Sequence, residues 1–268
     1  FFAGKVVLIT GSSNGIGRAT SVLFAAKGAK LTITGRSAAS LDETKQLCLK
    51  AGAKEEDILE LLGDVTDENF SVKLVSATVE KFGALDVLVN NAGCSTFETM
   101  GKSILDISII ELEKMMDVNV KPVLRISQAA VPHLEKTKGA IVNVSSIAAQ
   151  LRLFSMPYYG VAKSALDQIT VQMAGSLAKR GIRVNSVNPG PVRTNIAVAA
   201  GATKEMADKI FDEMDSSSMA PLGRIGVPDD IGKIILFLAD RSQSEILIGH
   251  IVTADGGIML KSAMFPDA

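Results

Sequence analysis

The chain has 268 residues, with 28 Lys and Arg against 29 Asp and Glu and a net charge of −1. Because the charges balance, the sequence gives no electrostatic sign of binding nucleic acid or an anionic membrane. Hydrophobic residues make up 47% of the chain, which is enough for a large core. No uncharged apolar stretch approaches the roughly 20 residues that span a bilayer.

The two cysteines, Cys48 and Cys94, and the two histidines, His133 and His250, show no metal-site spacing. We therefore predict that no metal is bound and that the cysteines are free thiols in a reducing compartment. The sequence shows no signal-peptide or lipidation pattern, so we expect a cytoplasmic protein.

Short β-rich runs alternate with amphipathic, helix-length segments along the chain. The predicted strands are Val6–Thr10, Lys30–Thr34, Ile58–Leu62, Val87–Asn90, Ala140–Val144, Arg183–Val187 and Ile246–Val252. Near-continuous apolar strands with helical crossovers predict a parallel sheet that is covered on both faces. Since no linker or repeat divides the chain, we predict the α/β class, with a single doubly wound Rossmann domain over residues 1–268 and a seven-stranded parallel sheet.

Four helix starts carry recognisable signals. Ser40 and Ser108 are each followed three residues later by Glu, which is the pattern of a capping box. Pro157 and Pro228 suit the first turn of a helix, where a missing N–H group does no harm. We therefore expect helices to begin at these four positions.

Glycines and short polar side chains follow the predicted strands where the strands end. These residues are Gly11–Gly17 after the first strand, Gly35 and Arg36 after the second, Asp64 after the third, Asn91–Gly93 after the fourth, Ser145 and Ser146 after the fifth, and Asn188–Gly190 after the sixth. The carboxyl ends of parallel strands share one edge of the sheet, and ligands of doubly wound sheets bind outside that edge. The clustering therefore predicts a ligand site there.

The turn after the first strand is rich in glycine, and it reads Thr10-Gly-Ser-Ser-Asn-Gly-Ile-Gly17. Glycines allow the backbone to approach a pyrophosphate, while the start of the helix presents free N–H groups to it. The spacing differs from the dinucleotide fingerprint G-x-G-x-x-G, and an ordinary strand–helix turn is the alternative. The candidate cofactor-binding residues here are Gly11, Ser13, Asn14, Gly15, Ile16 and Gly17.

Tyr159 and Lys163 are four residues apart, which places them on one face of a helix. An ammonium beside a phenol stabilises the phenolate, so we expect Lys163 to lower the pKa of Tyr159 from about 10 toward neutral pH. Such a phenol can pass a proton to or from a carbonyl oxygen. Because this spacing also occurs by chance in many helices, the assignment depends on the rest of the chain.

The glycine-rich turn matches T-G-x-x-x-G-x-G and so resembles the fingerprint of the short-chain dehydrogenase/reductase family. Ser146 precedes Tyr159 by thirteen residues, which is the family's spacing between its catalytic serine and tyrosine. The segment Asp117-Val-Asn-Val120 resembles the one that supplies the fourth catalytic residue of the family. The resemblance covers Lys5 to Gly257, and it points in particular to nematode tropinone-reductase-like and 3-oxoacyl-reductase-like members. It implies a catalytic set of Asn119, Ser146, Tyr159 and Lys163.

The resemblance implies a role for each of these residues in a reaction that develops negative charge on a carbonyl oxygen. Ser146 donates a hydrogen bond to that oxygen, and Tyr159 delivers the proton. Lys163 also bonds the nicotinamide ribose, and Asn119 holds a water that connects Lys163 to solvent.

Two neighbouring residues are weaker alternatives to members of this set. Ser145 lies one residue away from the family spacing. Tyr158 is five residues from Lys163, so its side chain points elsewhere on the helix. We therefore prefer Ser146 and Tyr159.

Three further segments correspond to cofactor contacts of the family. Asp64 and Val65 resemble the residues beside the adenine, and Asn91-Ala-Gly93 resembles a segment that passes the cofactor and steadies the sheet. The loop Asn188–Thr194 resembles the one that contacts the nicotinamide. The candidate cofactor-binding residues are Asp64, Val65, Asn91, Ala92, Gly93, Tyr159, Lys163, Pro189, Gly190, Val192 and Thr194.

The end of the second strand indicates which nicotinamide cofactor is used. An acidic residue there would bind the ribose of NAD and repel a 2′-phosphate. The chain has Arg36 and Ser37 instead, and a guanidinium can grip a phosphate through paired, charge-assisted bonds. A solvated surface arginine is the alternative. We expect both residues to bind the cofactor and NADP(H) to be favoured over NAD(H).

The predicted function is that of an NADP(H)-dependent oxidoreductase that interconverts a carbonyl and a secondary alcohol on a small-to-medium apolar substrate. A non-catalytic nucleotide sensor or scaffold of the same fold is the alternative. Candidate substrate-pocket residues are Ser95–Phe97, Gln150–Met156, Ile196, Val198, Met206, Ile210, Phe211 and Met214. We expect a substrate lid near residues 195–225, and the resemblance implies a homotetramer or homodimer that uses Ile246–Val252 in its assembly.

Overall fold

The structure is a computed structural model that describes residues 1–96, 101–151, 154–216 and 219–261. Within these ranges, none of the helices is long and apolar enough to cross a membrane. The same residues contain no group of three or more His, Cys, Asp or Glu side chains that could hold a metal ion.

The described residues form one seven-stranded sheet. Its strands are β1 (Val6–Ile9), β2 (Lys30–Gly35), β3 (Ile58–Leu62), β4 (Val87–Asn90), β5 (Ala140–Val144), β6 (Arg183–Pro189) and β7 (Ile251–Ala254). All neighbours are parallel, in the order β3-β2-β1-β4-β5-β6-β7. The order reverses between β1 and β4, which opens a crevice at their carboxyl ends. The predicted fold class is confirmed.

Helices connect the strands. They are α1 (Gly15–Ala25), α2 (Ala38–Lys50), α3 (Glu68–Phe82), α4 (Ile109–Asn119), α5 (Lys121–Thr137), α6 (Pro157–Leu177), α7 (Ile196–Ala199), α8 (Lys204–Ser216), α9 (Pro228–Ala239) and α10 (Arg241–Ser244). Short 3₁₀ turns lie at Glu55–Asp57, Ile104–Asp106, Ile147–Ala149, Ala178–Arg180 and Ile258–Leu260.

Both faces of the sheet are buried, because alternate residues of a strand point to opposite faces. In β1, Val7 and Ile9 belong to a core that includes side chains of α1, α2 and α9. Val6 and Leu8 belong to a second core, with side chains of α3, α5 and α6. All four residues are at most 2% exposed, which explains the continuous apolar runs in the sequence.

The last strand differs from its prediction. The sequence predicts Ile246–Val252, whereas β7 is Ile251–Ala254. Ile246 is 89% exposed, and Gly249 has a positive φ of 74°. The Gly249 N–H donates to the carbonyl of Val184 at 2.8 Å, so a turn delivers the chain to the sheet. The apolar residues before this turn therefore do not belong to the strand.

Three of the four predicted helix starts are confirmed. Pro157 and Pro228 are the first residues of α6 and α9. Ser108 caps α4, and its hydroxyl accepts a hydrogen bond from the N–H of Ile110 at 3.3 Å.

The predicted start at Ser40 is wrong. Helix α2 begins at Ala38, and Ser37 is its N-cap. The Ser37 hydroxyl accepts the Ser40 N–H at 3.3 Å, while Glu43 pairs with Arg18 at 2.8 Å. The first turn of α2 is therefore capped three residues earlier than the Ser–Glu spacing predicts.

Candidate active site

A cavity of about 710 Å³ lies along the carboxyl ends of the strands. All four predicted catalytic residues line it: Asn119, Ser146, Tyr159 and Lys163. The predicted cofactor-binding residues that also line it are Gly11, Ser13, Asn14, Gly15, Ile16, Arg36, Asp64, Val65, Asn91, Ala92, Gly93, Pro189, Gly190, Val192 and Thr194. Gly17 and Ser37 do not line it, so the cavity brings together all but two of the predicted catalytic and cofactor-binding residues.

The glycine-rich turn between β1 and α1 needs glycine at two positions. Gly11 and Gly15 have positive φ angles of 67° and 54°, which L side chains rarely adopt. A Cβ atom on Gly11 would lie 2.9 Å from the Cα of Ala92, and one on Gly15 would lie 3.0 Å from Cγ2 of Thr194. Both the conformation and the space of the turn therefore exclude a side chain.

The same turn has the donors that a phosphate requires. Helix α1 begins at Gly15, and the side chain of its N-cap residue Asn14 makes no capping hydrogen bond. The first-turn N–H groups and the positive end of the helix dipole are therefore free to bind an anionic group. Among the described residues, the buried hydroxyl of Ser13 has no hydrogen-bond partner. Because buried hydroxyls are normally paired, the turn fits a phosphate-bearing nucleotide.

Gly17 packs α1 against the end of β4. A Cβ atom there would lie 2.5 Å from Nδ2 of Asn91 and still closer to the carbonyl oxygen of Gly11. Asn91 Nδ2 donates to the carbonyls of Thr10 at 2.9 Å and Gly11 at 3.0 Å, and the N–H of Ala92 donates to Thr10 Oγ1 at 3.0 Å. These bonds attach the turn to the segment that follows β4.

The end of β2 places a guanidinium at the cavity wall. The side chain of Arg36 is 73% exposed, and its Nη1 lies 3.8 Å from Oδ2 of Asp64. Oδ1 of Asp64 accepts hydrogen bonds from the N–H and hydroxyl groups of Thr66, both at 2.9 Å. An exposed pair of this kind contributes little stability, so Arg36 remains available to an anion. Ser37 caps α2 beside it.

Helix α6 carries Tyr159 and Lys163 on one buried face, where they are 9% and 4% exposed. The Nζ of Lys163 donates to the carbonyl of Val144 at 3.0 Å and lies 5.7 Å from the centre of the Tyr159 ring. Ser146 begins the 3₁₀ turn after β5, and its hydroxyl accepts the N–H of Ala148 at 3.1 Å. The three side chains therefore converge from α6 and β5.

Burial sets the protonation of this group. It raises the pKa of Tyr159 to about 12, although the neighbouring Ser146 hydroxyl acts in the opposite direction. Burial also lowers the pKa of Lys163, to about 8. The expectation that Lys163 brings the pKa of Tyr159 toward neutrality is therefore wrong for this geometry, because removing the phenol from water has the larger effect. At neutral pH the phenol carries its proton.

The two alternative residues have other partners. The hydroxyl of Ser145, although it lines the cavity, donates to the backbone carbonyl of Lys163 at 3.2 Å. The hydroxyl of Tyr158 has two backbone carbonyls of the segment before α4 at 3.3 Å, and these share its one hydrogen. The geometry therefore favours Ser146 and Tyr159 as the reacting pair.

Asn119, the last residue of α4, is fully buried. Its Nδ2 donates to the carbonyls of Met115 at 3.0 Å and Cys94 at 3.1 Å, and its Oδ1 accepts the N–H of Cys94 at 3.2 Å. A Cβ atom on Gly93 would lie 2.8 Å from the same Oδ1. The side chain therefore fixes the segment after β4 against α4, while its role in holding a water stays a prediction.

The loop after β6 is attached to α8 by two ion pairs of Arg193. The guanidinium of Arg193 lies 2.9 Å from Asp212 and 2.8 Å from Asp215, and 5.8 Å from the centre of the Phe211 ring. Asp215 also accepts the N–H of Ile225 at 2.8 Å. These contacts hold α8 in place, with Phe211 on the cavity wall.

The predicted substrate-pocket stretches supply part of the wall. The residues that line it are Ser95, Leu151, Ser155, Met156, Ile196, Ile210, Phe211 and Met214. Phe154, Val198 and Met206 do not line it, and they are 81%, 40% and 57% exposed. The wall also does not include Thr96 or Gln150. Phe97, Arg152 and Leu153 lie outside the described residues.

The sequence reasoning missed other lining residues. Among them are Val118, Ile147, Ala148, Pro191, Ala197, Met219 and Ile258. The first five lie within two positions of a predicted residue, so extending each motif along the chain would have found them. Met219 and Ile258 reach the cavity from segments that carry no motif at those positions.

The parallel sheet and the glycine-rich turn at its edge are typical of a dinucleotide-binding domain. Residues 11–259 match the family model described as Enoyl-(Acyl carrier protein) reductase. The chain belongs to the short-chain dehydrogenase/reductase family, whose members use nicotinamide cofactors. The predicted family is confirmed.

Curated relatives match over nearly their full length. The chain is 34% identical to the 3-oxoacyl-(acyl-carrier-protein) reductase FabG of Thermotoga maritima over 258 residues, which is 96% of this chain and 98% of the relative. It is 33% identical to the meso-2,3-butanediol dehydrogenase of Serratia marcescens over 256 residues, which is 96% and 95% of the two chains. Both are oxidoreductases by name.

Two solved nematode structures are also similar. A Caenorhabditis elegans short-chain dehydrogenase/reductase of unknown function, solved with cofactor, has a TM-score of 0.95 at 43% identity, with 100% of this chain and 99% of the other covered. The apo-form of a C. elegans glucose dehydrogenase has a TM-score of 0.81 at 45% identity, with 97% and 99% covered. The predicted resemblance to nematode members agrees with these matches.

Proposed function

We propose that the protein is an NADP(H)-dependent oxidoreductase that interconverts a carbonyl and a secondary alcohol on a small-to-medium apolar substrate, with Tyr159 as general acid and base. One observation carries the proposal. A buried phenol lies beside Ser146 and Lys163, on the wall of the same cavity that contains the glycine-rich turn. Membership of an oxidoreductase family supports this chemistry.

The residues present fit the cofactor. The glycine-rich turn, with its unpaired Ser13 hydroxyl, suits the phosphates, and Arg36 suits a 2′-phosphate. Asp64 and Val65 would hold the adenine, and Val192 and Thr194 would hold the nicotinamide end. When bound, the nicotinamide supplies or accepts the hydride.

The proton in carbonyl reduction comes from Tyr159. Ser146 donates a hydrogen bond to the carbonyl oxygen, and Tyr159 transfers its proton to that oxygen as negative charge develops there. The transfer leaves a buried phenolate, which the nearby ammonium of Lys163 stabilises. In alcohol oxidation the phenolate accepts the proton from the hydroxyl group.

The wall around these residues suits a neutral, hydrophobic substrate. It includes the apolar side chains Leu151, Met156, Ile196, Phe211 and Met214. Among the described lining residues, the acidic and basic side chains are those of Arg36, Asp64 and Lys163. An apolar wall with few polar groups favours a hydrophobic ligand, and flexible methionines adapt to several shapes.

We extend the proposal to the rest of the chain. The segment near residues 195–225 acts as a lid over the substrate, with α8 as its main part; residues 217 and 218 lie outside the described part of the chain. Residues 1–268 form a single domain, and the protein assembles as a homotetramer or homodimer. Size-exclusion chromatography with light scattering measures that assembly.

A screen of ketones and secondary alcohols with both NADP(H) and NAD(H) tests the function. We expect turnover of apolar ketones with NADPH, which is measured as the loss of NADPH absorbance at 340 nm. Nucleotide binding without turnover of any compound would instead favour a non-catalytic sensor or scaffold.

The two directions of the reaction should depend oppositely on pH. We expect kcat/KM for reduction to be constant at pH 6–7 and to fall above about pH 8, because Lys163 loses its proton there. For oxidation we expect a rise between about pH 6 and 8, since more phenolate forms as the pH approaches the Tyr159 pKa of about 12. A reduction profile that stays flat to pH 9.5 would contradict the role of the ammonium.

Replacing Arg36 with Ala should weaken NADPH binding by about 10-fold or more and leave NADH binding nearly unchanged, because charge-assisted bonds to the 2′-phosphate are lost. Isothermal titration with each cofactor measures this. Arg224→Ala is the matched control, because Arg224 is also exposed and paired with one carboxylate, Asp230, outside the cavity lining. Unchanged NADPH affinity in Arg36→Ala would refute the assignment of the 2′-phosphate contact.

A further inference from the structure

Asp167 lies on α6 one turn beyond Lys163 and two turns beyond Tyr159, so the three residues share a face of the helix. Unlike the other two, Asp167 does not line the cavity. Its Oδ2 accepts a hydrogen bond from Nδ2 of Asn188 in β6 at 2.7 Å, and Asn188 Oδ1 accepts one from the Ser186 hydroxyl at 2.9 Å. Asn188 of β6 therefore holds the carboxylate in place, one helical turn from Lys163.

The other oxygen of this carboxylate, Oδ1, is buried and has no hydrogen-bond partner that meets normal geometry among the described residues. The Ser145 hydroxyl is near enough to lower the pKa of Asp167, but it donates to the Lys163 carbonyl at 3.2 Å. A buried carboxylate oxygen without a partner is unfavourable unless a positive charge compensates it.

The nearby positive charge is that of Lys163. Lys163 is 4% exposed, and its ammonium donates to the carbonyl of Val144, which is a neutral group. Among the described residues, no carboxylate lies within ion-pair distance of it. The titratable groups that act on it are Cys94, from the segment after β4, and Asp167. Tyr159 lies beside it on α6, and the residues that β5 and α4 bring to it, Val144 and Asn119, do not titrate.

Of these groups, Asp167 is the only carboxyl group, so it is the one whose ordinary pKa, about 3.9, lies far below neutral pH. Burial raises the pKa of the Cys94 thiol and of the Tyr159 phenol, so both are neutral there. Burial also raises the pKa of Asp167, but the nearby Ser145 hydroxyl, the hydrogen bond from Asn188 and the charge of Lys163 oppose that rise. A carboxylate and an ammonium one turn apart in a poorly solvated site attract each other strongly.

We infer that Asp167 is a positioning residue that keeps Lys163 protonated at neutral pH, from one helical turn behind the cavity wall. Its effect on turnover rests on the proposed function, because the ammonium is useful only if Tyr159 forms a phenolate. The electrostatic attraction between Asp167 and Lys163 does not depend on whether the protein turns over a carbonyl.

The test is Asp167→Asn, which keeps the shape of the side chain and the oxygen that accepts from Asn188. The pKa of Lys163 is read from NMR titration of protein labelled with ¹³C at the lysine ε carbon, with the signal assigned by Lys163→Met. We expect a fall of at least about one unit in the variant. Asp167→Glu should keep the pKa of Lys163 close to its value in the natural chain. Asp229→Asn, which changes an exposed carboxylate on α9, should leave the pKa of Lys163 unchanged.

Turnover gives a second readout. If the pKa of Lys163 falls by one unit from about 8, the protonated fraction at pH 8 falls about five-fold, while at pH 6 it changes little. The alkaline limb of the reduction profile should therefore move to lower pH in Asp167→Asn. A purely structural role would lower activity equally at both pH values.

An unchanged Lys163 titration in a folded Asp167→Asn variant would overturn the inference. Should that variant fail to fold, the ¹³C shift of the Asp167 carboxyl in the natural chain decides, because a carboxyl that is protonated at pH 7 cannot hold the ammonium charge. A shifted Lys163 titration in a protein that turns over no carbonyl would support the inference and reject the proposed function.

Discussion

The Tyr159→Phe variant is expected to lose carbonyl reduction by about 10²- to 10⁴-fold, the range typical of removing a general acid. Tyr159 is 9% exposed, and phenylalanine fills nearly the same space, so the fold and the cofactor affinity should be nearly unchanged. The loss should appear in kcat at saturating NADPH. Fluorescence titration of NADPH measures the binding separately.

Tyr158→Phe is the matched control, because the adjacent tyrosine sits on the same helix and its hydroxyl bonds only to backbone carbonyls before α4 among the described residues. We expect this variant to keep most of its activity. Equal turnover by the natural chain and Tyr159→Phe would refute Tyr159 as the proton donor. Equal losses in the two variants would show that the tyrosine hydroxyls act on the structure instead.

Gly17→Ala should destabilise the protein by about 1–3 kcal/mol and weaken NADPH binding by about 10-fold or more. The added Cβ would lie 2.5 Å from Nδ2 of Asn91 and closer still to the carbonyl of Gly11. The helix must therefore move away from the turn that is proposed to hold the phosphates. Urea unfolding and NADPH titration measure the two effects.

Gly175→Ala, also within a helix, provides the control. No atom lies within 4 Å of a Cβ built at Gly175 in α6, so alanine should fit and raise stability by about 0.5–1 kcal/mol. If Gly17→Ala is as stable as this control and binds NADPH normally, the close packing of α1 does not position the turn.

Most of the fold could be predicted because hydrophobic patterning fixes which segments become strands. Val6–Ile9 is apolar at every position, and this pattern is typical of a strand that is covered on both faces. The error at Ile246–Val252 has a local cause. Most of this run is apolar, and hydropathy does not report the turn that the backbone makes at Gly249. Likewise, the Ser40–Glu43 spacing fits a capping box, but Ser37 lies closer to the start of α2.

The candidate site could be predicted in its membership but not in its electrostatics. The motif residues converge because parallel strands end at one edge, as the sequence pattern implies. The pKa of Tyr159 depends on how deeply the packed helix buries the phenol, and four-residue spacing to Lys163 carries no information about that. The role of Asp167 could not be predicted for a related reason, because its position next to the cavity depends on how α6 packs on β6.

Different helices carry the proton-handling residues of the cavity and much of its apolar wall. Tyr159 and Lys163 belong to a helix that packs on the sheet, whereas Phe211 and Met214 belong to one that the ion pairs of Arg193 hold from outside. Substitutions on α8 can therefore reshape the apolar wall without moving the groups that handle the proton. In an engineering library, diversity confined to this helix would explore new substrates while the chemical step stays intact.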